Sequence, residues 1–245
     1  MTINCACTIE KINSDPFKFT KYMPSKSKNV TLCIYHGWGT TISDFDLKAR
    51  TLAEQGYEVN LPEIIYHDGR QNIGNHFDSK ITKEYFWKTI FCSIDEAVNF
   101  YERFKNDSHK HVLIGSSMGG FIAAGIFAQL SGFDALIIVN GSGSFLLSKS
   151  IFREQDGRKP LAQELVDVFY RYDPRYQSII NVAPQLLMHG DHDQIVSIDG
   201  EKDYYKYMNA QSDLEIDLEV YEHVNHEFTD QMYDDLRTWL KRYDK

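Results

Sequence analysis

A continuous run of about 20 apolar residues, the length a membrane-spanning helix needs, is missing from this chain of 245 residues. The mean hydropathy of -0.41 agrees with that. The opening stretch MTINCACTIEK has neither a basic segment nor a continuous apolar one, so no secretory leader is expected. Cysteine is scarce, with Cys5, Cys7, Cys33 and Cys92 the four present. The close pair Cys5 and Cys7 has no second pair to complete a zinc site. All four are expected to be free thiols in a reducing cytoplasm. Positive charge is not in surplus either. The net charge is -9, and residues 191–245 carry all of it, with 15 acidic and 6 basic residues against 20 of each in residues 1–190. Without a basic stripe, nucleic acid is not an expected partner. An acidic surface also disfavours docking on anionic lipid, so no membrane partner is expected. Internal repeats and low-complexity segments are absent too.

What remains is ordinary for a globular chain: 42% hydrophobic and 25% charged residues. The length suits one α/β domain. Residues 2–10 alternate weakly and suggest an edge strand, and 15–28 form a loop or a second short strand. Apolar, β-branched runs predict strands at 29–35, 57–61, 111–114, 135–139, 185–189 and 216–221. Helical spacing and caps predict helices at 43–56 (Ser43 as cap), 84–105, 120–130, 160–172 (Pro160 at its start), 198–208 and 228–243. A long polar loop fills 62–82, and 142–183 breaks the alternation. Strands alternating with helices imply a mostly parallel sheet covered on both faces. Chemistry in such sheets sits at the carboxyl ends of the strands.

The strongest local signal is Gly115-Ser116-Ser117-Met118-Gly119, which fits G-x-S-x-G between a strand and a small-residue helix. A serine on such a sharp turn projects above the sheet, and flanking glycines let strand and helix approach. Ser117 is the candidate nucleophile. A nucleophilic serine needs a base and an acid that orients the base. Two later segments supply them in the order serine, aspartate, histidine. The segment His189-Gly190-Asp191-His192-Asp193 offers Asp191 or Asp193, and Glu222-His223-Val224-Asn225-His226 offers His223 or His226. Spacing does not choose between the members of either pair. His189 and His192 lack a His-x-x-x-His or cysteine partner, so zinc is not expected. An oxyanion needs two backbone N–H donors. Met118, after the serine, is one candidate. Trp38 in the turn His36-Gly37-Trp38-Gly39 is the other.

Together these residues resemble the α/β-hydrolase superfamily over nearly the whole chain. The resemblance implies an α/β-hydrolase fold, with a mostly parallel sheet of about eight strands and helices on both faces. It also implies a small lid inserted at 142–183, and it selects Asp193 as the acid and His226 as the base. Leu61-Pro62 followed by His67-Asp68-Gly69-Arg70, with Trp87 in the next helix, is similar to small bacterial esterases of the prolyl-oligopeptidase and dienelactone-hydrolase group. In this chain the glycine stands one place later than in that group. Such relatives need no metal or organic cofactor. The expectation is a cytoplasmic serine carboxylesterase, monomeric or homodimeric, acting on small or medium acyl groups. The apolar residues of 142–183, among them Phe145, Phe152, Leu165, Val168, Phe169 and Tyr172, are expected to line an acyl pocket or to pack the lid onto the body. Thioesterase, peptidase, acyltransferase and perhydrolase chemistry use the same triad, and a non-catalytic binding role is the alternative of a different class.

Overall fold

The computed structural model describes residues 7–211 and 214–244. Cys5 and the first five residues of the expected edge strand lie outside them. The described chain forms one eight-stranded sheet in the order β1-β2-β4-β3-β5-β6-β7-β8. The strands are β1 (Cys7–Ser14), β2 (Phe17–Pro24), β3 (Val30–Tyr35), β4 (Glu58–Pro62), β5 (Lys110–Ser116), β6 (Ala135–Val139), β7 (Gln185–Gly190) and β8 (Ile216–Tyr221). β1 and β2 form an antiparallel hairpin that joins β4 antiparallel, and every other pairing is parallel. The helices are α1 (Asp46–Glu54), α2 (Ser79–Phe104), α3 (Met118–Gln129), α4 (Phe145–Gln155), α5 (Gln163–Tyr172), α6 (Ile198–Asn209) and α7 (Asp230–Leu240). Among the described residues, no helix is long and apolar enough to cross a membrane.

Strands β3, β4, β6 and β7 are buried at every position because helices cover both faces of the sheet. Alternation then sorts their side chains. Cys33, Tyr35, Leu113, Leu136 and Ile138 meet one layer of helices, with Trp87, Ile90, Phe121, Phe145 and Tyr204. Leu32, Ile34, Val112, Ile114 and Ile137 meet the other, where Ala49, Leu52, Met232, Leu236 and Leu240 come from α1 and α7. Each fully buried large apolar side chain here contributes about 1.5–3 kcal/mol. The result is a rigid platform whose parallel strands all end at one edge.

Three local expectations are corrected. Ser43 caps nothing: a short 3-10 turn (Ile42–Phe45) precedes α1, and Thr41 with Asp44 forms its capping box. α2 starts five residues before the expected 84, because Asp78 accepts the Lys80 and Ile81 N–H groups and nucleates it earlier. The segment 142–183 holds two helices. α4 is extra, and α5 begins at Gln163, after Pro160. The start of α4 is fixed from a distance, by the Leu146 N–H donating to buried Asp173 at 2.8 Å. Burial pushes the Asp173 carboxyl up to about 6, against the pull of the backbone N–H groups and Arg175.

Candidate active site

The turn after β5 places Ser117 at φ 56° and ψ -121°, a conformation L-residues rarely hold. The surroundings enforce it. The Ser117 N–H donates to the Val139 carbonyl at 2.8 Å, and the Gly120 N–H donates to the Ser117 carbonyl at 2.9 Å. A Cβ on Gly115 would collide with the Gly119 backbone, and one on Gly119 with the Tyr35 carbonyl. Only glycine permits this approach of strand to helix.

Two loops at the same edge bring the other groups. After β7, Asp193 turns its fully covered carboxylate inward. Its Oδ1 accepts the N–H groups of Ile195 at 2.9 Å and Val196 at 2.8 Å. Its Oδ2 accepts His226 Nδ1–H at 2.6 Å. After β8, His226 directs Nε2 at Ser117 Oγ, 2.7 Å away. With Nδ1–H committed to Asp193, Nε2 is the acceptor for the serine hydroxyl, a tautomer assigned from the partners. Burial opposes the Asp193 charge. Hydrogen bonds from His189 and His226 outweigh it and hold the carboxyl well below the usual carboxylate range. Ser117, Asp193 and His226 are therefore brought together. The rival residues are not. Asp191 accepts from the His223 N–H at 2.7 Å and pairs with His192 at 2.5 Å, on the exposed side of the loops.

Residues not anticipated from sequence hold these loops. Asn140, after β6, accepts the Gly190 N–H at 3.1 Å and donates to the Glu227 carbonyl at 2.7 Å, tying β7 to the loop of His226. Asn225 accepts the Gln194 N–H at 3.0 Å. His189 is fully buried, and its Nε2 lies 3.0 Å from the Val196 carbonyl and 3.3 Å from Asp193 Oδ2. A histidine in the apolar strand LLMHG, four residues before an aspartate, was the available signal.

The loop after β3 lies against Ser117: a Cβ on Gly37 would stand 3.3 Å from Ser117 Cβ and 3.7 Å from Oγ. Met118, fully buried, opens α3 from the other side, where the helix N-terminus favours negative charge. Trp38 and Met118 thus flank the serine. The polar segment 62–82 mounts the β3 loop. Asp68 bridges His36 Nε2 and the Ile42 N–H, each at 3.1 Å. His67 Nε2 accepts the Gly39 N–H at 3.2 Å. The Trp38 indole donates to the His76 carbonyl at 2.9 Å and meets the His67 ring edge-on at 5.1 Å. Burial, then the neighbouring His36 and His76, push His67 down to about 3, against the Ile65 carbonyl and Asp68. His67 is therefore neutral at any ordinary pH and remains an acceptor. Arg70 locks the far side of the loop through a two-pronged ion pair to Glu96, both contacts 2.7 Å.

Ser117 and His226 open onto a cavity of about 450 Å³, walled by Trp38, Phe86, Trp87 and Phe152 and rimmed by Ile195 and Val196. Of the apolar residues in 142–183, Phe152 lines it. Phe145, Phe169 and Tyr172 instead pack into the core, Phe169 edge-on to Trp87 at 4.7 Å and Tyr172 stacked on Phe91 at 4.3 Å. Leu165 and Val168 lie on the outer surface. Among the described residues, no group of three or more histidine, cysteine, aspartate or glutamate side chains is placed to hold a metal ion.

Sheet order and helix arrangement are those of an α/β-hydrolase, and solved structures bear that out. TT1662 from Thermus thermophilus superposes with a TM-score of 0.76 at 18% identity, over 98% of both chains. Esterase 2 of Thermogutta terrifontis superposes at 0.66 and 15% identity, over 97% of this chain and 94% of its own. The acylaminoacyl peptidase of Pyrococcus horikoshii reaches 0.70 at 15% identity, over 98% of this chain and 42% of its own. A search of curated proteins returned no match. The family model for the dienelactone hydrolase family matches residues 17–244. The chain belongs to that family, and it is a hydrolase.

Proposed function

We propose that this hydrolase cleaves carboxylic esters of small or medium acyl groups through an acyl-enzyme on Ser117. One observation carries the reading: His226 stands between Ser117 Oγ at 2.7 Å and Asp193 Oδ2 at 2.6 Å, where the serine meets the cavity. Ser117 attacks the ester carbonyl while His226 Nε2 takes its proton. Asp193 keeps His226 in the required tautomer and stabilises the imidazolium. The backbone N–H groups of Trp38 and Met118 receive the oxyanion. The intermediate collapses as His226 protonates the leaving alcohol. Water, deprotonated by His226, then releases the acid and restores Ser117. No step needs a cofactor. The 142–183 insertion acts as a lid, with Phe152 of α4 facing the acyl chain. A cavity of about 450 Å³ is at the smaller end for ligand sites, which run to about 1,000 Å³, and supports short and medium chains.

Hydrolysis of p-nitrophenyl esters from acetate to laurate tests the reading. The expected result is an optimum at short or medium length and loss of turnover to background in Ser117→Ala. A wild type that cleaves acyl thioesters or peptides but no oxygen ester would move the reaction to those bonds.

A further inference from the structure

Strand β7 is apolar apart from Gln185 and His189, and both are fully buried. Alternation turns them, with Leu187, toward α6, where Tyr204 donates to Gln185 at 2.8 Å. His189 finds its partners in the site instead. Its Nε2 lies 3.0 Å from the Val196 carbonyl and 3.3 Å from Asp193 Oδ2. Both are acceptors, so Nε2 carries the hydrogen, a tautomer assigned from the partners. Nδ1 then keeps a lone pair that is buried without a donor. An unpaired buried polar atom is costly, and a leucine would continue the apolar strand without it. What a leucine lacks is the Nε2–H.

That N–H falls on the oxygen that also takes His226. Oδ1 of Asp193 holds the N–H groups of Ile195 and Val196. Oδ2 holds His226 Nδ1–H at 2.6 Å together with His189. The carboxylate is therefore pinned at both oxygens, and its charge is spread over four donors. Each donor to a carboxylate stabilises the charge and leaves less of it for the others.

We propose that His189 is a positioning residue for the reaction: its Nε2–H shares Asp193 Oδ2 with His226, fixing the carboxylate and restraining its pull on the His226 proton. The inference rests on the reading of Ser117, His226 and Asp193 as a triad. His189 touches no reacting atom and acts through Asp193. With it in place, Asp193 orients His226 without over-stabilising the imidazolium. Without it, Asp193 bears harder on His226, and the base stays protonated to higher pH. The other charges around His226 are common to every variant tested below. Lys83 of α2, Lys149 of α4, Asp156 and Arg158 share its cavity. Glu222 and Glu227 are exposed in its own loop, and Asp191, His192 and His223 keep to the outer side. Behind β7, α6 presents Glu201, fully buried without a hydrogen-bond partner and pushed by burial toward its neutral form.

The test follows the pH dependence of kcat/KM on a p-nitrophenyl ester and the titration of His226 by NMR, in wild type, His189→Gln and His189→Leu. Glutamine sets an amide N–H near the place of Nε2, and it should keep the acidic limb and the His226 titration within a few tenths of a unit of wild type. Leucine should move both to higher pH by about half a unit or more, a modest shift for one hydrogen bond to a charged group. The His226 Nδ1–H resonance should move downfield in the same variant, as its bond to Asp193 tightens. If both variants lower kcat evenly across pH with the His226 titration unmoved, His189 merely fills the core. That result overturns the inference and leaves the esterase reading standing. A titration moved equally by glutamine and leucine overturns it as well, because the N–H is then not what matters. Should the leucine variant fail to fold, His189→Asn, whose amide is too short to reach Oδ2, takes its place in the comparison. If the wild type hydrolyses no ester, the esterase reading falls, and the NMR titration alone decides the role of His189. A titration raised in leucine and kept in glutamine sustains it, and one unmoved in both overturns it.

Discussion

Asp193 and Asp191 are two residues apart and equally good candidates by composition, yet their surroundings differ in every respect. Asp193 is covered and takes four hydrogen-bonding contacts, two from backbone N–H groups and two from His226 and His189. Asp191 serves the exposed backbone of His223. Asp193→Asn should lower kcat roughly 10⁴-fold, the scale of an orienting acid in such triads, while Asp191→Asn stays within a few-fold of wild type. Steady-state kinetics on one ester separate the two. His67 supplies a pH-linked prediction. Its folded form refuses the proton that the unfolded chain takes up below about pH 6.5. Its share of stability is therefore complete above that pH and declines as pH falls toward about 3. Urea unfolding at pH 5.5 should show wild type weaker than at pH 7.5, with about 1 kcal/mol of the difference absent in His67→Gln. An unchanged pH dependence in the variant would show that His67 binds a proton in the folded state.

Helices and loops explain which parts of the site the sequence discloses. The serine elbow is readable because Gly115 and Gly119 act locally: each lacks a Cβ where a backbone passes. The HGWG turn and the HGDHD segment are readable for the same reason, since each follows a strand. The choice of Asp193 over Asp191 and of His226 over His223 was open from spacing and came from family resemblance. It depends on how two loops from different strands fold over each other. α4 was illegible because its buried face is only Phe145 and Ser148, and its start is capped by Asp173 from beyond α5. The role of 62–82 was illegible because His67, Asp68 and His76 act on a loop some 30 residues earlier in the chain. The apolar periodicity of α2 shows its body but not its start, because the cap Asp78 sits in a polar segment. Asp78→Ala should cost about 1 kcal/mol by denaturant unfolding, the usual worth of an N-cap, and fray the first turn of α2. A change indistinguishable from zero would mean that packing alone sets the start of that helix. Asn140→Ala, which unties β7 from the His226 loop, should cost about 1–3 kcal/mol and lower kcat as well. Loss of stability with kcat intact would show that the loop holds His226 without it.

Across the whole molecule, parallel pairing from β4 to β8 brings the ends of β3, β5, β6, β7 and β8 to one edge. That is why groups 109 residues apart, Ser117 and His226, share a hydrogen bond. The family match establishes a hydrolase, the superposed structures show its fold, and the proposed serine chemistry rests on the geometry at that edge. The most direct test is stoichiometric labelling with a fluorophosphonate, followed by peptide mass spectrometry. One phosphonate should attach to Ser117, in step with the loss of hydrolase activity, and none should attach to the adjacent Ser116. A folded, active enzyme that stays unlabelled, or that is labelled elsewhere without losing activity, would contradict the account.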